Sequence, residues 1–171
     1  ALLIGSSVFV QLIENQLISF AKGKSLEIEK DMNYGQVLDK IFGEIVEPHL
    51  NDPIFVTDYP KSISPLAKES RCGNIDIVER FELFIAGMEF ANAFTELNNP
   101  IEQRMRLEEQ VKLREAGDEE AQILDENFLQ AMEAGMPPTG GVGIGIDRLI
   151  MLLTQQNSIK DVILFPAMRN E

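Results

Sequence analysis

The run Gly140-Gly-Val-Gly-Ile-Gly-Ile-Asp-Arg-Leu149 constrains this chain more than any other stretch. Four glycines are interleaved with small apolar residues, and an Asp-Arg pair opens the apolar run Leu149-Ile-Met-Leu-Leu153. Glycine in a strand strips the side chain from one face, so the pattern reads as a strand whose backbone something approaches closely. The apolar run reads as a buried helix. A strand–turn–helix with Arg148 at its junction can hold an anion, because a helix N-terminus carries partial positive charge and Arg adds a planar fork of donors. The same residues also suit a buried Gly-rich strand under a helix, with Arg148 in an ordinary ion pair. Spacing alone does not separate the two. Neither G-x-G-x-x-G leading to a ribose-binding acid nor G-x-x-x-x-G-K-[ST] occurs, which removes the common dinucleotide and P-loop readings.

The 171 residues are 44% hydrophobic and 25% charged, as in a globular domain with a core of its own. The net charge of −13 argues against a general nucleic-acid-binding surface, which needs clustered Lys and Arg, though not against a local basic site. A single cysteine, Cys72, excludes an internal disulfide and fits a reducing cytoplasm. The sole histidine, His49, lies in a different segment, so Cys72 reads as a plain thiol rather than a nucleophile. No apolar run reaches the length of a membrane span, and the first residues do not read as a signal peptide.

Periodicity predicts helices over 8–20 and 34–50, the second closing near Pro48. A short buried strand over 53–57 and an extended stretch over 62–66 follow. Residues 81–85 and 88–96 read as a hairpin about Ala86-Gly87. Asn99-Pro100 is a helix start, with a stop at Gly117, and the polar face carrying Glu102, Arg106, Glu109 and Lys112 reads as solvated. Asp125 caps a further helix that ends at Gly135. The Gly-rich strand, a helix over 147–155 and a final strand over 162–165 complete the chain. Hairpin-linked strands with segregated helices predict an α+β fold, an antiparallel sheet flanked by helices.

The hairpin carries Glu82, Glu89 and Glu96 among apolar residues. If Ile85 pairs with Met88, regular pairing sets Phe84 opposite Glu89 and Glu82 opposite Ala91, so Glu82 and Glu89 share a face. Two such carboxylates repel unless a cation lies between them, and Mg²⁺ often bridges carboxylate to phosphate. Solvated edge-strand charges are the plainer reading. Asn92, Phe94 and Glu96 have the other parity. Both sets line one pocket only if the strand bulges around residues 90–92.

The run Pro137-Pro-Thr-Gly-Gly-Val-Gly-Ile-Gly-Ile-Asp-Arg-Leu-Ile-Met-Leu-Leu153 resembles motif 3 of the class II aminoacyl-tRNA synthetases. With Ile159-Lys-Asp-Val-Ile-Leu-Phe-Pro166, Asp58-Tyr-Pro-Lys-Ser-Ile-Ser-Pro-Leu-Ala-Lys68 and Glu79-Arg-Phe-Glu-Leu-Phe-Ile-Ala-Gly-Met-Glu-Phe-Ala-Asn-Ala-Phe-Thr-Glu-Leu-Asn98 it resembles the lysyl-tRNA synthetases in particular. The likeness is strong from about Tyr34 onward and weak before it. It implies that Glu82 and Glu89 hold Mg²⁺ and ATP, that Arg148 is catalytic and contacts ATP together with Gly145, and that Asn92, Phe94 and Glu96 line a lysine pocket. Ala93 stands where the family commonly has glycine, a change that would tighten that pocket.

The resemblance further implies ATP-dependent activation of lysine to lysyl-adenylate and transfer to tRNA(Lys), by a cytoplasmic homodimer with no membrane association. Residues 1–171 then form the C-terminal portion of a catalytic domain. Motifs 1 and 2 and the anticodon-binding domain are not in this sequence, so the isolated fragment is expected to be inactive. The rival readings are a related ligase that lysylates a protein and a non-catalytic fragment. Phe94-Thr-Glu-Leu-Asn98 is more like the tRNA enzyme.

Overall fold

The computed structural model describes residues 14–29 and 32–167. Four strands form one antiparallel sheet in chain order: β1 (Ile54–Thr57), β2 (Arg80–Ile85), β3 (Met88–Thr95) and β4 (Gly140–Ile144). Helices α1 (Glu14–Gly23) and α2 (Tyr34–Ile41) precede the sheet. Helices α3 (Pro100–Glu115) and α4 (Glu126–Gly135) lie between β3 and β4, and α5 (Ile146–Thr154) follows β4. This is the expected α+β arrangement.

The local chemistry behind these elements is direct. Asn33 and Gln36 form a reciprocal capping box at the start of α2. Asn99 accepts from the amides of Ile101 and Glu102, and Pro100 follows it where a missing N–H costs nothing. Asp125 accepts from the Phe128 amide at 3.0 Å to cap α4. The hairpin turn has φ of 53° at Ala86 and 69° at Gly87. Positive φ at both positions is the type I′ geometry whose twist matches the flanking strands, and Ala86 adopts it without glycine's freedom.

Several expectations need correction, burial among them: the strand over 53–57 is not buried, with Phe55 60% exposed, and the helix after the Gly-rich strand buries only Met151. The first helix was expected over 8–20; residues 1–13 lie outside the described part, and the described part runs on to Gly23. The helix over 34–50 loses α-geometry after Ile41, passing through a wide π turn (Phe42–Val46) and a tight 3-10 turn (Glu47–His49). Pro48 has no N–H with which to continue the α-helical ladder. Residues 61–63 curl into a 3-10 turn instead of extending, because the Ser64 amide reaches back to the Lys61 carbonyl at 3.1 Å. Residues 162–165 form no strand and pair with none of the four described strands. Arg106 is not on a solvated face: it is buried, pairs with Glu102 and donates to the Ala67 carbonyl at 2.8 Å.

Three apolar clusters hold the elements together. Leu17 and Ala21 of α1 meet Val37 and Ile41 of α2. Leu107 of α3 meets Leu129 and Met132 of α4. Tyr59, Ala67 and Val78 form the third, against which Val56 and Phe94 of the sheet pack. Full burial of each Leu, Ile, Val or Met among them is worth roughly 1.5–3 kcal/mol. Phe42 then stacks edge-on to Phe84 at 5.5 Å, which brings the end of the α2 segment over one sheet face.

The other face is only partly covered. Helix α5 packs against β3. Yet Val142 and Ile144 on the edge strand β4 remain 63% and 55% exposed, and Leu153 of α5 remains 74% exposed. An apolar sheet edge in water is a template for association. The 171-residue chain is therefore expected to self-associate in sedimentation experiments. Ile144→Lys with Leu153→Glu should shift it toward monomer. A parent chain that is already monomeric at high micromolar concentration would disprove the expectation.

Candidate active site

The pairing of β2 with β3 contains one irregularity, and it decides what the sheet can present. Ile85 pairs with Met88 and Phe84 with Glu89, but Leu83 then pairs with Ala91 and Glu82 with Asn92. Phe90 is the extra residue. Regular pairing would have set Glu82 opposite Ala91. The bulge instead brings Asn92 onto the face of Glu82, and Phe94 opposite Arg80. Glu82, Glu89, Asn92 and Phe94 thus occupy one face, and Glu96 continues the parity of Asn92 and Phe94. Ala93 has the opposite parity and pairs with Val142, so it does not line this face. The expectation that Ala93 tightens the pocket is corrected.

Glu82 is the most tightly held of these side chains. Its Oε2 accepts from the Tyr59 hydroxyl at 2.7 Å, and its Oε1 is ion-paired to Arg80. Arg80 also donates through Nε to Asn92 Oδ1 at 3.2 Å. Its guanidinium stacks over the Tyr59 ring at 4.5 Å. Burial, followed by the adjoining Glu82 charge, pushes the Tyr59 phenol well above its ordinary value, so it remains a donor.

Burial raises the Glu89 carboxyl above its ordinary value, and the Glu82 charge adds to this. Asp39 and Glu47 are raised in the same way, by burial first and then by Glu82. Arg148, in the first turn of α5, donates through Nη1 to the Glu89 carbonyl at 2.5 Å and lies 3.9 Å from its carboxylate. It is 48% exposed, and among the described residues no further hydrogen bond holds its guanidinium. Gly145 is the N-cap of α5, and its amide donates to the Phe90 carbonyl at 2.9 Å. It lies just past the strand rather than within it.

Glu96 differs from the others. Its carboxyl is half-buried, burial raises it above its ordinary value, and no cation faces it among the described residues. It rests against the α-carbon of Gly141, where a Cβ would fall 2.0 Å from Glu96 Oε1. The close approach implied by the Gly-rich strand is therefore made at Gly141 by a side chain of the neighbouring strand.

The expected residues thus gather on one sheet face with Arg148 at its rim. Sequence reasoning assigned no role to Arg80, Tyr59 or Asp39. Arg80 and Glu82, two apart on one strand, carried a readable signal, since that spacing puts both on one face. Tyr59 and Asp39 arrive from other elements and carried none.

The family model for tRNA synthetases class II (D, K and N) matches residues 12–169. The chain belongs to the class II tRNA synthetases. It is 60% identical over 144 residues to a lysine–tRNA ligase of Moorella thermoacetica, covering 84% of this chain and 29% of that protein. A lysine–tRNA ligase of Christiangramia forsetii is 52% identical over 158 residues, covering 92% and 28%. One of Thermoanaerobacter pseudethanolicus is 54% identical over 156 residues, covering 91% and 31%. The chain therefore spans about three-tenths of the length of these relatives. Among the described residues, no helix is long and apolar enough to cross a membrane.

Gly141→Ala tests the placement of Glu96 without reference to activity. The new methyl must push the carboxylate out toward water, so the Glu96 titration should fall back toward the ordinary value of 4.5. Carboxyl-carbon NMR would read the shift. A Glu96 titration unmoved by the methyl group would mean that the two residues are not in contact.

Proposed function

We propose that the chain is the C-terminal part of the catalytic domain of a lysine–tRNA ligase, with motif 3 over residues 137–153. The enzyme activates lysine with ATP to lysyl-adenylate and transfers the lysyl group to tRNA(Lys), as a cytoplasmic homodimer. The observation that carries this reading is Glu96: a half-buried carboxylate, raised by burial, with no cation facing it among the described residues, at the end of a face that also presents Asn92 and Phe94. An ε-ammonium is the natural partner for it, since each charge offsets the desolvation of the other.

The other end of the face suits a nucleotide. Glu82 and Glu89 are two carboxylates on one side of a strand pair, and Glu89 is raised first by burial and then by the Glu82 charge. Among the described residues no group of three or more acidic, His or Cys side chains could hold a metal. Two carboxylates are nonetheless what Mg²⁺ commonly takes from a protein when phosphate and water supply the rest. Tyr59 and Arg80 occupy one position on each Glu82 oxygen, and each oxygen keeps a second lone pair. Glu82 and Glu89 would therefore hold the ion, which neutralises phosphate charge when bound. Gly145 lies at the phosphate end with Arg148, which directs its open donors at phosphate oxygens. No side chain needs to act as a nucleophile: lysine's own carboxylate attacks the α-phosphate of ATP, and pyrophosphate leaves. The protein contributes orientation and charge.

Two substitutions test the two ends in a full-length ligase carrying these residues. Glu96→Gln keeps the shape and removes the charge. Loss of one side of a buried ion pair is worth roughly 2–5 kcal/mol, so the lysine KM should rise more than tenfold while the ATP KM stays near its parent value. The pH dependence follows from the raised Glu96. Only the ionised carboxylate pairs with lysine, so the parent's lysine KM should climb as pH falls through a range above 4.5. That slope should flatten in Glu96→Gln. An equal effect on lysine and ATP would remove Glu96 from the lysine pocket.

At the nucleotide end, Arg148→Ala should slow adenylate formation by about 10²–10³-fold, the usual cost of one preorganised charged donor. Arg148→Lys should recover part of it. Lysine-dependent ATP–pyrophosphate exchange at the parental rate in the alanine variant would exclude Arg148 from the reaction.

A further inference from the structure

We propose that Arg80 is a positioning residue that ties the nucleotide side of the site to the amino-acid side. It holds Glu82 and fixes which way the Asn92 amide faces; the inference rests on the reading of the site given above. The Arg80 side chain is nearly buried, and its donors are spread over several acceptors on different elements. Nη2 pairs with Glu82 Oε1. Nε donates to Asn92 Oδ1 at 3.2 Å. Nη1 donates to Ser64 Oγ at 2.9 Å and to the Ile63 carbonyl at 3.3 Å. The Tyr59 ring lies under the guanidinium plane at 4.5 Å. The contacts from Ser64, Ile63 and Tyr59 fix where the fork sits, and the fork then fixes Glu82 and Asn92.

The chemistry of the donors dictates the consequence. Arg has only donors, so the Asn92 atom facing it must be the amide oxygen. The reverse rotamer would set N–H against N–H. The Asn92 amino group is therefore turned away from Arg80, and no other described residue takes it. Asn92 presents a donor to the pocket, so the substrate atom it meets is an oxygen acceptor. Without Arg80 the amide is free to flip, and the pocket loses that polarity. Lysine at position 80 would keep the charge but not the fork, so it would not hold Glu82, Asn92 and Ser64 together.

The test is a double-mutant cycle in a full-length ligase carrying these residues, read by lysine-dependent ATP–pyrophosphate exchange. Asn92→Ala should raise the lysine KM about tenfold, the scale of one hydrogen bond to a charged group. Arg80→Lys should raise it to a similar degree. The double variant should be no worse for lysine than Asn92→Ala alone, because Arg80 acts on lysine through Asn92. Arg80→Lys should also raise the ATP KM through Glu82, which Asn92→Ala should not do.

Additive effects on the lysine KM overturn the proposal. So does a lysine KM unchanged by Arg80→Lys while Asn92→Ala raises it, and that result leaves the lysine pocket standing. A silent Asn92→Ala overturns the pocket itself, and the proposal with it. A merely structural Arg80 would lower the fraction of active sites and leave both KM values alone. If Arg80→Lys fails to fold, Ser64→Ala removes one anchor of the fork and should raise the lysine KM about two- to threefold. An unchanged KM in that variant overturns the proposal as well.

Discussion

Phe90 is the residue by which β3 outruns β2, and the site depends on it. Without the extra residue, Glu82 would face Ala91, and Asn92 with Phe94 would turn to the opposite side of the sheet. The bulge also anchors the next part of the fold. The Phe90 carbonyl accepts from the Gly145 amide at 2.9 Å, and the Glu89 carbonyl accepts from Arg148 at 2.5 Å. The break in one strand pairing therefore sets the start of α5, and the side chain at that start is the one placed to meet an anion. Phe90 itself is buried, so the irregularity is packed in place.

Around this bulge the chain concentrates negative charge that it only partly balances. Asp39, Glu47, Glu82 and Glu89 are electrostatically coupled, with Arg80 and Arg148 as the opposing charges. The raised carboxyls of Asp39, Glu47 and Glu89 cost stability once ionised. Their stabilising contribution is complete below the ordinary values of 3.8 and 4.5 and is lost as pH rises through the raised ones. Glu79 runs the other way. Its hydrogen bond to Arg71 holds its carboxyl down to about 2, so its contribution is present above 4.5 and lost on acidification. Asp39 and Glu47, from the helical segment before the sheet, and Glu89 of β3 are raised around Glu82, whereas Glu79, the residue before β2, is held by Arg71. A cation placed among Asp39, Glu47 and Glu89 would favour their ionised forms and offset that penalty.

The sequence was most legible where one local rule decided the outcome. Asn99-Pro100, Asp125 and the glycines at 117 and 135 mark helix ends by chemistry that acts within a single turn, and the structure follows them. The hairpin about Ala86-Gly87 was legible for the same reason. The bulge was legible only by contradiction: two sets of residues of opposite parity had to share a pocket, and no local signal in residues 89–92 announces the break. The stretch over 162–165 reads as a strand by composition, but a strand also needs a neighbour, and composition does not supply one. Arg106 was misread because helical spacing shows which residues share a face, not what lies against it. Here Ala67 and Glu69 lie against it.

The Gly-rich run left two readings open, a strand–turn–helix that holds an anion and a buried Gly-rich strand with Arg148 in an ordinary ion pair. β4 is mostly exposed, which removes the buried strand. Only at Gly141 would a Cβ collide, and what it meets is Glu96. At Gly143 and Gly145 the nearest atoms would stand 3.8 Å and 3.6 Å away, which is ordinary contact. Arg148 does lie beside a carboxylate, but at 3.9 Å and with its side chain 48% exposed, so the pairing is too loose to occupy it. A side chain pinned at one nitrogen by a carbonyl and free at the others is preoriented without being satisfied. Any anion that meets such a side chain gains more from it, because part of the ordering cost has been met beforehand.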